Sequence, residues 1–544
     1  MAENRTIVVG AGVGGLAAAI RLRAAGHDVT VLERRKVVGG KLATLRRDGY
    51  TFDLGPSLVT LPQVFDDVFR AAGTSLDDEI ELVRLDPQFH YHWRDGSSLT
   101  VHDDADATAA AFDEFEPGAG AQWRRFDARG RRIWDVAERT FFAGPMSNPW
   151  SLLKRMRSPR DLTAIDPLRT LHNAAAATFD DDRLVQWAGR YATYSGSSPY
   201  ESPATLACIP HIEARDGCWY PMGGLDALRH ALERVALDTG VEIRTGADVA
   251  RITVTDDSGS GPGRRNGGRV RGVELADGTM LDAEHVVANV DAEHLYADLL
   301  PDEPALKQVR RADRSTSGFV LCLGVRGTTP GIGHHNVWFS ESYAAEYNDL
   351  DAGRPAADPT IYACVSSVTD PTQAPDGCEN WFLLVNAPAG AEIDEVAYGK
   401  LILDRLAANG VDLRGRTEFV HAMTPAIIAE RYRSPGGAIY GTSSNGRRAA
   451  FVRPGNRGAR DGLYLVGGSS HPGGGLPLVA TSARIVAEMI AGPTATVTAT
   501  DGSSPTPEPD ADADADGGAG GGADADADGG ADADPAIDSG AGQR

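Results

Sequence analysis

The chain opens on a short apolar run, Ile7-Val8-Val9, that stops at Gly10 and gives way to closely spaced glycines and alanines through Ala19. A second run, Val29-Thr30-Val31-Leu32, ends in Glu33. Runs of this length closed by turns predict buried strands, and the small-residue stretch between them predicts a tightly packed helix. Residues 63–72 carry Val64, Phe65, Val68 and Phe69 at helical spacing, while 89–93 and 99–101 flank Asp95-Gly96 and predict a hairpin. From 105 to about 192 the period is helical. A helix over 225–239 and strands over 241–244, 248–254, 270–275 and 285–289 follow, with a polar loop at 255–268. Near the end, Leu463-Tyr464-Leu465-Val466 runs into a glycine turn and a last helix that stops near Ala491.

The first strand, turn, helix and strand carry chemistry as well as pattern. Gly10 lets the chain turn out of the strand, Gly12 lets backbone approach a pyrophosphate, Gly14 lies in the same turn, and Gly15 lets the helix pack close to the sheet. The helix N-terminus offers unpaired N–H groups to phosphate. Glu33 lies 18 residues after Gly15, where an acid accepts hydrogen bonds from ribose hydroxyls and disfavours a 2′-phosphate. FAD or NAD is therefore expected over NADP.

Charge and composition exclude several classes. The net charge of -23 falls heavily on the last segment, where residues from 501 onward hold twelve acids and one base. No basic stripe stands out, which argues against a nucleic-acid partner. The stretch 493–544 is built of Ala-Asp repeats and glycine runs and is expected to be disordered. Five cysteines lie scattered without C-x-x-C spacing, so neither a disulfide framework nor a cysteine metal site is expected. The adjacent His334 and His335 are expected to point to opposite sides of a strand, and no metal is assigned. No apolar run is long enough to span a membrane, and no leader pattern precedes the first strand. In 141–157, large apolar residues sit beside Lys154, Arg155 and Arg157, a combination suited to an element lying in a membrane interface.

Further motifs narrow the cofactor. Arg34 follows the acid, then come Gly39-Gly40-Lys41 and Gly55-Pro56-Ser57. In this order the residues resemble the superfamily of FAD-containing amine oxidases and carotenoid desaturases. The string from Gly467 to Pro477, with Gly468, His471, Gly475, Leu476 and Pro477, closely resembles the C-terminal signature of bacterial-type phytoene desaturases. Residues 190–200, 217–224 and 334–340 resemble the same family, and the likeness runs over about 5–492. Ser470 and an extra Gly474 depart from its pattern.

The resemblance implies an α/β fold: a Rossmann-like FAD-binding domain in discontinuous segments (1–75, 216–300 and 441–492), a helical substrate and lid region (76–215) and a substrate-binding sheet (301–440). It implies FAD held by Gly10, Gly12, Gly14, Gly15, Glu33, Arg34, Gly40, Lys41, Gly55, Pro56, Ser57, Val249, Gly468, Gly475, Leu476 and Pro477. Gly40 and Lys41 would lie along the pyrophosphate and ribityl chain, and Val249 would face the adenine. The implied activity is desaturation of a long carotenoid hydrocarbon such as phytoene, with oxygen or a quinone as electron acceptor, on the inner face of the cell membrane. Removing a hydride from a CH2–CH2 unit between double bonds leaves an allylic cation whose neighbouring proton is readily lost. The protein must then orient substrate and exclude water more than supply a tuned base. His471 is the one polar candidate for proton transfer, and Phe319-Val320-Leu321 are expected to line an apolar tunnel. The residues leave open a 3,4-desaturase of a hydroxylated carotenoid, a non-redox carotenoid isomerase and a non-enzymatic prenyl-binding escort; an amine oxidase fits the C-terminal string less well.

Overall fold

A five-stranded parallel sheet carries the glycine turns. Its order is Leu463–Leu465, His285–Ala288, Arg5–Val9, Asp28–Glu33, Glu242–Thr245. All five strands are predicted ones, shifted by a residue or two at their ends. Ile7, Val8, Val29 and Val31 are buried on both faces of the sheet, the usual state of a parallel sheet covered by helices. Helix Val13–Ala24 lies on it, with Leu16, Ala17, Ala18 and Ala19 fully buried, and packs against helix Leu476–Ala491. Alanine along this face lets the two helices approach closely. The structure is a computed structural model that describes residues 4–146, 149–255, 268–446 and 453–493. The acidic tail beyond 493, most of the polar loop after Thr255 and part of the interfacial segment lie outside the described residues.

The block 241–289 returns the chain to this sheet through Glu242–Thr245 and His285–Ala288. Between them, strands Val249–Val254 and Val270–Leu275 lie outside it. They pair with each other and with Met280–Asp282 in a separate antiparallel sheet. Turn residues Asp277 and Gly278 between the last two strands give local antiparallel pairing that a crossover to the parallel sheet would forgo.

A seven-stranded mixed sheet forms the second layer, in the order Thr417–Met423, Ser317–Arg326, Cys378–Ala387, Ile361–Cys364, His335–Trp338, Phe89–His92, Ser98–Val101. The predicted hairpin supplies its edge, Phe89–His92 against Ser98–Val101. Along Ser317–Arg326 the side chains alternate: Phe319 and Leu321 pack in one core cluster, Val320 and Cys322 in another. Only Val320 of the three predicted tunnel residues reaches the central cavity, because a strand cannot turn neighbours to the same face. Helices Ala105–Phe115, Ala119–Thr140, Pro149–Arg155, Pro159–Ala164 and Leu171–Ala176 build the predicted helical region. The FAD-binding and substrate-binding segments read as separate up to residue 492 belong to one compact unit.

Candidate active site

The cofactor cradle is built where backbones must touch. An added Cβ at Gly15 would lie 2.1 Å from the Gly10 carbonyl oxygen, so this glycine serves helix–sheet packing as expected. Gly39 donates its N–H to the Ala11 carbonyl at 2.7 Å, and a Cβ at Gly40 would stand 3.1 Å from the Gly12 Cα. The two glycine segments therefore form one surface. Gly12 caps helix Val13–Ala24 and Gly475 caps helix Leu476–Ala491, both without a side-chain hydrogen bond. Two helix N-termini thus present open N–H groups to the same space, the arrangement that binds phosphate and favours negative charge.

Glu33 holds its position by accepting from the backbone N–H groups of Ala11 (2.9 Å, Oε2) and Arg35 (2.9 Å, Oε1). A carboxylate has lone pairs left for ribose hydroxyls after these two bonds. Every residue assigned to FAD from the sequence, except the packing residue Gly15, lines a single cavity of about 820 Å³. The donor set fits FAD: an acid for ribose, a glycine surface and two helix ends for the pyrophosphate, and a glycine turn from the far end of the chain.

Three of the assigned side chains have partners the sequence did not show. Arg34 reaches the carbonyls of Glu430 and Arg431 at the end of helix Pro425–Tyr432. The Lys41 ammonium donates to the carbonyls of Ala438 and Ile439, and burial lowers its pKa to about 8 against the opposing pull of nearby Asp291. Ser57 shares a 2.5 Å hydrogen bond with the Tyr362 hydroxyl, which contacts His335 Nδ1 at 2.8 Å.

His471 is not brought to the cavity. It is buried at 1% exposure, with Nε2 at 3.2 Å from the Gly144 carbonyl and its ring edge-on to Phe141. Its carbonyl accepts from Asn456 and Ser482, and burial lowers its pKa to about 4. These contacts fasten the glycine turn to the 141–144 segment. The two departures from the family string also find reasons. A Cβ at Gly474 would lie 2.3 Å from the Tyr440 ring, and Ser470 donates to the Gly467 carbonyl at 3.1 Å.

The expectation about the paired histidines is corrected in its geometry. The strand begins at His335, so His334 is free of the strand's alternation, and the two rings lie 4.5 Å apart edge to face. Both are buried and held neutral by desolvation, with Cys364 nearby.

Asn289 was named only as the end of a strand, yet it is the hub of the cradle. Its Nδ2 donates to the Gly10 carbonyl at 3.1 Å, and its side chain faces the positions where Cβ atoms would stand on Gly12, Gly14, Gly15 and Gly467. The glycine spacing on both sides, read together, was the signal that something must sit between them.

Past the cradle the cavity becomes apolar, lined by Ile133, Trp134, Phe141, Leu152, Ile165 and Leu206 among others. Two buried ions stand in it. Glu213 accepts from the Tyr191 and Tyr194 hydroxyls (3.0 and 2.5 Å), and burial raises its pKa. Arg190 lies among the rings of Phe89, Tyr91, Tyr194 and Tyr362.

Residues 13–491 match the family model described as flavin containing amine oxidoreductase. The chain belongs to this family. It is an FAD-dependent oxidoreductase, and its sequence relatives are enzymes of carotenoid metabolism. It is 35% identical to a 4,4′-diapolycopene oxygenase from Methylomonas sp and 37% identical to a hydroxyneurosporene desaturase from Cereibacter sphaeroides, each over 90% of this chain and 98% of the relative. It is 36% identical to a zeta-carotene-forming phytoene desaturase from Myxococcus xanthus over 90% of this chain and 94% of the relative. Among solved structures, an oxidoreductase from Methanosarcina mazei shares the fold with a TM-score of 0.59 at 18% identity, covering 89% of this chain and all of that one.

Proposed function

We propose that the protein desaturates a long acyclic carotenoid of the phytoene type, converting CH2–CH2 units to CH=CH by loss of a hydride and a proton. The observation that carries the reading is the continuity of one cavity from the FAD cradle into an apolar compartment. The names of the relatives support it.

Bound FAD supplies the two-electron acceptance, and oxygen or a quinone would take the electrons onward. The chain's own part is orientation and exclusion of water. Ile133, Trp134 and Leu206 offer no polar clamp, so a hydrocarbon is aligned by shape. Ser57, Tyr362 and His335 form the hydrogen-bonded path that leads from the cavity into the protein.

Entry of so apolar a substrate is proposed to occur from a lipid bilayer, with the protein peripheral on the inner face of the cell membrane. Leu153, Leu162 and Leu168 are exposed at 43%, 45% and 69%, next to cavity-lining Leu152, Ile165 and Pro167. Arg155, read from the sequence as a headgroup contact, instead turns inward to the carbonyls of Thr140, Gly144 and Pro145.

The test is expression in cells that accumulate phytoene, followed by pigment chromatography, alongside a flavin absorbance spectrum of the purified protein. New conjugated pigment is expected. Unchanged phytoene with a full flavin complement removes phytoene as the substrate; a colourless protein removes the flavoenzyme reading.

A further inference from the structure

His334 and His335 carry two buried ring nitrogens with nothing to bond. The residues are 4% and 0% exposed, and Nε2 of each has no hydrogen-bond partner. Each Nδ1 is engaged: that of His334 meets the Thr369 hydroxyl at 2.7 Å, and that of His335 meets the Tyr362 hydroxyl at 2.8 Å. In the tautomers in which both Nδ1–H groups donate to these hydroxyls, both Nε2 atoms carry bare lone pairs. Desolvation disfavours a second proton on either ring, so no charge caps them. Polar atoms buried in this way cost free energy unless a ligand answers them.

Cys364 completes a donor set. It is 7% exposed and lies directly across the strand pair from His335. Its sulfur and one ring nitrogen of each histidine lie within 4.8 Å of one another. The Val365 N–H donates to the His334 carbonyl at 2.8 Å and holds that residue to the same edge. Cysteine spacing could not show this group, because strand pairing rather than sequence proximity assembles it. Aromatic rings wall it off: Phe89 stacks on His335 at 4.9 Å, and Tyr220 meets His334 edge-on at 4.7 Å.

We propose that His334, His335 and Cys364 form a three-coordinate site for a cuprous ion. Two imidazoles and a thiol suit a soft transition metal, whereas Ca2+ and Mg2+ need oxygen donors. Zn2+ takes four ligands, the fourth being water where a protein supplies three. Here no further histidine, cysteine or carboxylate among the described residues joins the group, and the rings leave no open side. Cu+ is satisfied by three soft ligands. Bonds of about 2.0–2.3 Å set the ligand atoms roughly 3.5–4 Å apart, so small side-chain rotations close the site.

Binding forms a Cu–S bond as the Cys364 S–H bond breaks; the proton leaves to solvent and no electron moves. Burial keeps Cys364 a thiol until the ion displaces that proton. Thr369 and Tyr362 hold the two rings from outside, as groups behind a metal-bound imidazole do. Tyr362 also bonds Ser57 of the cofactor cradle, so the site ends a path that begins beside the flavin.

The experiment loads the purified holoenzyme with Cu+ under anaerobic conditions and removes weakly held metal with a competing Cu+ chelator. It then measures copper per protein and the copper X-ray absorption spectrum. One retained ion per chain is expected, bound by two nitrogens and one sulfur. Cys364→Ser and His334→Phe should each lower affinity at least tenfold, while Cys378→Ser, which removes a half-buried thiol elsewhere, should retain the ion. Flavin absorbance per protein confirms that each variant is folded and loaded, and the wild-type spectrum decides the matter where a variant is not. Loss of all copper to the chelator overturns the site, as does a spectrum without nitrogen ligands. Equal retention by Cys364→Ser assigns the metal to another thiol, and tighter binding of Zn2+ than of Cu+ refutes the three-coordinate assignment.

Discussion

The side-chain amide of Asn289 donates to the carbonyl of Gly10 at 3.1 Å and thereby ties the end of one strand to the turn that leaves its neighbour. The same side chain occupies the space that Cβ atoms on Gly12 and Gly14 would need, 2.9 Å from the first and 3.0 Å from the second. Glycine at these positions and asparagine at 289 are thus one device. Asn289→Ala removes a hydrogen bond worth about 1 kcal/mol, so FAD affinity should fall roughly fivefold. Asn289→Asp keeps the size but sets a carboxylate against the Gly10 carbonyl and the incoming phosphates, and its loss should be at least ten times larger. Gly12→Val should abolish flavin retention, since its side chain collides with Asn289 and fills the phosphate approach. Flavin absorbance per protein after gel filtration measures all three, and a fully loaded Gly12→Val would contradict the cradle.

The Lys41 ammonium gives FAD binding a pH dependence. Burial holds its pKa at about 8 in the cofactor-free protein. An anionic ligand nearby raises that value, so binding takes up protons as pH approaches and passes 8. By linkage, affinity is full below the cofactor-free pKa and declines as pH rises through the higher pKa of the complex. FAD affinity measured by fluorescence quenching from pH 6.5 to 9.5 should therefore weaken toward alkaline pH, and Lys41→Met should flatten the curve while lowering it.

How much of this was legible from residue order depended on the range of the interactions. The first strand, the glycine turn and Glu33 are local features, and backbone sterics dictate them within thirty residues. The Gly39-Gly40 contact with Gly12 was readable only through a family resemblance, because its partner lies on another loop. Asn289 and Arg190 were hidden for a different reason. An asparagine at a strand end and an arginine in a helical stretch are ordinary in sequence, and only tertiary packing reveals that one is surrounded by glycines and the other by rings. His471 failed in the opposite sense. It sat within a flavin signature, yet backbone carbonyls and Phe141 take up its ring.

Glu346 offers a test of burial energetics behind the cavity wall, which its partner Thr360 lines. It is 2% exposed, bonded to the Thr360 N–H and hydroxyl, and burial raises its pKa to about 7. A raised carboxyl pKa means the folded state holds a proton that the unfolded state has released. Between pH 4.5 and 7 this residue therefore subtracts stability as pH rises, and above 7 the loss is constant. At about 1.4 kcal/mol per pH unit, the stability of Glu346→Gln relative to wild type should improve by roughly 3 kcal/mol across that window. Calorimetry of the two proteins from pH 4.5 to 8 reads the difference. A pH-independent gap would show that Glu346 ionises normally.

The last prediction concerns how a carotenoid reaches the cavity. Leu153, Leu162 and Leu168 stand exposed around residues that line it, while Arg155 is committed to backbone carbonyls. Insertion should thus rest on leucine burial rather than on arginine–headgroup contacts. At roughly 25 cal/mol per Å², three partly buried leucines contribute a few kcal/mol, enough for reversible binding. Replacing all three by aspartate should release the protein from liposomes in a flotation assay and depress turnover of membrane-dissolved substrate. Turnover of detergent-solubilised substrate should suffer much less, because the cavity itself is intact. Arg155→Ala should instead lower thermal stability, since the carbonyls of Thr140, Gly144 and Pro145 lose their donor. Liposome binding that survives the triple substitution would place the membrane contact elsewhere on the protein.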